Sequence, residues 1–160
     1  MVSTSIGRRW TRCVAAATKR SMNTDVALVW LHVTANLFWI GGITAVGLLV
    51  LATSVDPKVR GGLAVTVYQR LAAPAFVVSF IAGTARLFSD TGYYFKETHF
   101  MHGKLLFALI VIGLHHVIGA RAKKLASGET TEPGPTKVLL GVLAGCAALA
   151  ALTVIFKLPK

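Results

Sequence analysis

Acidic residues are scarce in this chain. Six Asp and Glu stand against 17 Lys and Arg in 160 residues, and charged residues make up only 14%, whereas an ordinary soluble domain carries about a quarter. All six acids fall at predicted rims or in loops, so no paired carboxylates are available for general acid–base work. The motifs HExxH, GxSxG and a Gly-rich phosphate loop are also missing, which removes the common signatures of soluble enzymes. Cysteine is nearly absent: Cys13 lies in a basic leader and Cys146 in an apolar run. With no CxxC pair, zinc-finger and thioredoxin chemistry are excluded. The bases are not gathered with aromatics on a polar face, which excludes nucleic acid as a partner. No repeated ring of polar residues points to a channel.

What the chain does have is apolar surface. Hydrophobic residues make up 54%, and the net charge is +11. An apolar yet basic chain reads as a membrane protein whose charges sit at the bilayer rims. Residues 1–21 form a basic tail, with Arg8, Arg9, Arg12, Lys19 and Arg20 and no acid. This composition suits an organelle transit peptide or a tail that binds anionic lipid. A shorter chain beginning at Met22 is a third reading.

Residues 22–160 read as one membrane domain. A membrane-spanning helix needs about 20 apolar residues, and four segments qualify: about 26–52, 63–88, 100–120 and 138–156. These runs are too long for buried strands. The expected fold is therefore all-α, a four-helix transmembrane bundle with the bilayer as its first partner. Pro74 is expected to kink the second span or to mark its start. Ser127–Pro135 (SGETTEPGP) reads as a loop. Gly141 and Gly145 on the last span allow close approach of another helix, from within the bundle or from a second copy.

Ionisable residues at membrane depth are costly and point to function. In an up-and-down bundle the first and third spans begin at one membrane face, here termed the near face, and the second span ends there. His32 lies six residues into the first span, roughly 9 Å deep at about 1.5 Å per residue. Asn36 is one turn further on the same side. His102 and Lys104 open the third span, and Arg86 closes the second. Two histidines from different helices at matched depth suit axial ligation of haem iron, with Arg and Lys free to pair with its carboxylates. The alternatives are histidines satisfied by water or backbone, or a proton relay through His32 and Asn36. His115 and His116 lie about 20 Å further along the third span. They read as polar residues near the opposite, far face, before Arg121.

With these residues in place, the chain resembles the HemJ family of membrane protoporphyrinogen oxidases, and more distantly the membrane domain of CopD proteins. His32, Trp39, Gly41 and Gly42 in LHVTANLFWIGG resemble the family's opening helix. Arg70, Leu71, Pro74 and Gly83 in RLAAPAFVVSFIAG resemble its second. HGKL at 102–105, HH at 115–116 and the basic stretch that follows resemble its third. Phe100 stands where the family carries Trp, and TTEPGPTK replaces its Asn-Glu-x-Pro segment. The resemblance covers roughly residues 25–130. It implies a haem b protein with His32 and His102 as metal-associated histidines, and oxidation of protoporphyrinogen IX to protoporphyrin IX. Electrons would pass to a quinone or the respiratory chain, in a bacterial inner membrane or a mitochondrial one. Arg70, Arg86 and Lys104 are then candidate anchors for the porphyrin carboxylates. The CopD likeness implies instead a copper-associated or transport protein, and a non-catalytic subunit of a membrane complex is a third reading.

Overall fold

A computed structural model of the chain describes residues 4–97 and 100–155, and side chains over 23–96 and 100–154. The basic side chains of the tail and His99 lie outside the described residues. The elements are α1 (Thr4–Leu51), α2 (Pro57–Val67), a π-helical turn (Tyr68–Ala72), α3 (Ala73–Ser89), a second π-helical turn (Tyr93–Glu97), α4 (Phe100–Ser127) and α5 (Thr136–Ile155). No strand occurs among the described residues. Four helices are long and apolar enough to cross a membrane: Asn23–Leu51, Pro57–Ser89, Phe100–Ser127 and Thr136–Val154. The architecture is that of an integral membrane protein.

The helix ends follow from local chemistry. Asp56 caps α2, its Oδ1 accepting from the backbone N–H of Lys58 (3.0 Å) and Val59 (3.2 Å). Pro57 follows at the first helical position, where its missing N–H costs nothing. The second span therefore begins at Pro57, six residues before the expected start. Between α4 and α5 the connector turns through Gly128 and Gly134, both at positive φ, a conformation open to glycine without penalty. Arg60 is buried and ties this end together. It donates to the Val50 carbonyl at 2.6 Å and to the Thr131 carbonyl at 2.7 Å, joining the end of α1, the start of α2 and the connector.

The helix α1 touches all its neighbours, while α4 packs on α5 and α2. At the π turn the Ala73 N–H donates to the Tyr68 carbonyl, five residues back. Pro74 then sits in the first turn of α3, at the start of that helix as one of the two readings anticipated. This wide turn hands the hairpin helix from one neighbour to another. Its first half, α2, packs on α4, and its second half, α3, packs along α1 and barely meets α4. The buried hydrophobic core comprises Trp39, Ile43, Val46 and Val50 of α1 with Ala64, Ala72, Val111, Ile118, Ala122, Leu125 and Leu143. Most of these lie in the far half of the bundle, with Trp39 and Val111 near its middle. The near half has polar side chains in the corresponding place.

Candidate functional site

The near half is organised around His32. Its Nδ1 lies 2.8 Å from the Ser79 carbonyl of α3 and 3.3 Å from the Ser79 hydroxyl. A carbonyl can only accept, which fixes the proton on Nδ1. The other nitrogen, Nε2, therefore accepts from the Asn36 amide N–H at 3.0 Å. The ring of bonds closes as the Ser79 hydroxyl donates to Asn36 Oδ1 at 2.8 Å. Ser79 is 1% exposed, so these bonds form away from water and hold His32 as a neutral imidazole. Gly83 supplies the space: a Cβ there would lie 2.6 Å from His32 Cε1.

Arg86 and Lys104 were expected at this end of the bundle, with Arg70 as a third candidate anchor. Arg86, one turn beyond Gly83 on α3, faces Asp25 at 3.7 Å and lies over the Tyr94 ring, 5.5 Å from its centroid. That Asp25 distance is too long for a hydrogen bond, and Arg86 Nε is buried with no partner. Lys104 is half-buried. It shares the inward face of α4 with the buried residues Met101, Val111 and His115. Arg70 is placed elsewhere. It is exposed on the π turn, 16 residues before Arg86 and so roughly 24 Å away along the helix. His102 also departs from the expected pairing. It is exposed, with its ring edge-on to Phe95 at 5.7 Å between centroids. Two residues on a helix are about 200° apart, so His102 turns away from the interior that Lys104 faces.

A second histidine occupies a more enclosed place than the sequence indicates. His115 is 1% exposed. Trp39 Nε1–H donates to its Nδ1 at 3.1 Å, Tyr68 stacks on it at 4.9 Å, and Phe76 lies 5.2 Å away. It is thus a core residue of the far half, not an interfacial one, whereas its neighbour His116 is exposed. The available signal is spacing: Val111, His115, Ile118, Ala122 and Leu125 follow the i, i+4, i+7 rhythm of one helix face.

No family model, curated protein or solved structure matches the chain. The donor set itself limits the metal chemistry. Among the described residues no three His, Cys, Asp or Glu side chains come together, so what remains is ligation by single imidazoles. His115 is poorly suited, because Trp39 holds its Nδ1 and places the proton on Nε2. His32 is suited: a ligating histidine characteristically donates its other N–H to a carbonyl or carboxylate, as Nδ1 does here. Its Nε2 lone pair is held only by a neutral amide, which can turn aside.

Proposed function

We propose that the chain is an integral-membrane b-type haem protein that oxidises protoporphyrinogen, as the HemJ resemblance implies. One observation supports this best. His32 stands in the near half with Nδ1–H locked on a carbonyl; Arg86, whose ion pair with Asp25 is long at 3.7 Å, lies one turn beyond Gly83 on α3, and Lys104 is on the inward face of α4. A tetrapyrrole with carboxylate edges matches that combination.

His32 would hold the iron through Nε2, with Asn36 giving up its bond to the ring. Ser79 keeps the imidazole oriented from behind, so the ligand lone pair needs no reorganisation. Arg86 and Lys104 anchor carboxylates at the mouth, where charge-assisted hydrogen bonds are shielded from water. Gly83 leaves room for the imidazole of His32 against α3. The far half, closed by Trp39, Phe76 and His115, bounds the site from below. Haem b, when bound, supplies one-electron transfer between the substrate and the membrane's redox chain, with a quinone as acceptor. Within this reading the bacterial inner membrane is the location.

The test is an absorption spectrum of the purified membrane protein, oxidised and reduced. A Soret band is expected, lost in His32→Ala and retained in His102→Ala, because His102 faces outward. Colourless protein, or a band indifferent to His32, overturns the haem assignment. Complementation of cells lacking protoporphyrinogen oxidase then separates the enzyme from a haem-binding relative. A haem-loaded chain that fails to complement refutes the oxidase.

A further inference from the structure

The charges of the far face do not belong to the site above. Seven bases lie there, Lys58, Arg60, Arg70, Arg121, Lys123, Lys124 and Lys137, against three acids, Asp56, Glu129 and Glu132. Most of the acids' capacity is already used. Glu129 pairs with Lys124 at 2.6 Å, and Asp56 caps α2. Arg60 is buried on two carbonyls. Among the described residues, Lys58, Arg70, Arg121, Lys123 and Lys137 have no carboxylate partner. Among the described side chains of the near face, Arg86, Lys96 and Lys104 stand against Asp25 and Asp90.

The placement of these cations says what they meet. They come from three different helices, Pro57–Ser89, α4 and α5, near the far ends of their membrane-spanning segments. A patch for an acidic protein would gather on one side and stand clear of the bilayer. Arg70 makes the point most directly. It lies just inside this rim, two residues after Tyr68, which packs on Gly119 beside Arg121, and its side chain is exposed. An exposed guanidinium at that depth, flanked by the exposed apolar Leu71, must run along the helix surface toward the headgroups. Lys123 is exposed as well, with Nζ 5.6 Å from the Tyr68 ring centroid.

We infer that the far rim binds anionic phospholipid headgroups, with Arg70, Lys123 and Lys137 as its principal contacts and Arg70 as the deepest. The lipid phosphates supply the negative charge that the chain lacks. Arg70 is then a lipid anchor and not a porphyrin anchor.

The full chain, reconstituted in phosphatidylcholine discs with and without phosphatidylglycerol, is extracted into neutral detergent, and the retained lipids are quantified. Phosphatidylglycerol should be enriched over phosphatidylcholine. A cation near an anionic surface contributes about a fivefold preference, so Arg70→Gln should lower the enrichment by about fivefold. Arg70→Gln/Lys123→Gln/Lys137→Gln should nearly abolish it, and Lys96→Gln on the near face should leave it unchanged. Should the triple variant not fold, the single exposed Arg70→Gln carries the test. No enrichment in the parent, equal enrichment in Arg70→Gln, or an equal loss in Lys96→Gln overturns the inference. Displacement of the lipid by dilute inorganic phosphate overturns it too, since the ligand would then be the free ion.

Discussion

Replacing Gly83 by Ala tests the near site with a single methyl group. The added Cβ would lie 2.6 Å from His32 Cε1 and 2.7 Å from Nδ1. Ordinary contact begins near 3.4 Å, so the ring must retreat by about 0.8 Å. Backing off along α1 takes Nδ1 from 2.8 Å out past the limit of a good hydrogen bond to the Ser79 carbonyl. The substitution therefore acts by breaking the His32–Ser79–Asn36 ring. An interhelical hydrogen bond in a membrane is worth about 0.6 kcal/mol on average and up to about 1.7, and forced repacking adds about 1–3 kcal/mol. A loss of about 2 kcal/mol is expected, which for a chain of this size lowers the unfolding midpoint by roughly 4–8 °C. Gly41→Ala is the matched control, because a Cβ there meets nothing within 4 Å. The assay is thermal unfolding in one detergent, with the Soret band of the haem-loaded protein as second readout. Equal midpoints and equal bands for the two variants would refute the reasoning.

Two further substitutions probe the far half. Trp39→Phe keeps the ring but removes the donor to His115 Nδ1, leaving a buried acceptor unpaired; about 1–3 kcal/mol of stability should be lost, read as a lower unfolding midpoint, while His32-dependent colour persists. Arg60→Gln should free the Val50 and Thr131 carbonyls and loosen the connector before α5, seen as faster protease cleavage within residues 128–135; an unchanged cleavage rate would mean that the guanidinium ties nothing.

The four helices were legible because length and apolarity are enough to define a span. The ends of the hairpin were less so, although Asp56–Pro57 is a strong start signal that hydropathy alone passes over. Which side of each helix faces inward was the harder matter. In a bilayer the outer surface is as apolar as the core, so Val, Leu and Phe mark both. His115 illustrates this. Its place on the inward face of α4 shows only when it is set in phase with the buried Val111 and Ile118. That His32 and Arg86 lie at the same end of the bundle was readable from depth, because depth is a count of residues. His102 failed the same count, since depth carries no information about azimuth and two residues on a helix lie nearly opposite. Ser79 had no mark at all, because its role depends on the crossing of α3 over α1. The paired glycines Gly141 and Gly145 are exposed, with nothing within 4 Å of an added Cβ, so among the described residues no other helix uses their surface.

The π turn at Tyr68–Ala72 amounts to one surplus residue in an otherwise regular helix. Each residue of an α-helix advances the azimuth by about 100°, so the surplus rephases everything that follows it. Deleting one residue within the turn would make Pro57–Ser89 a single uninterrupted rod. Ser79 and Gly83 would then rotate by roughly a quarter turn, and both would leave His32. The alignment of the near half is thus stored in the length of a five-residue segment that ends seven residues before Ser79.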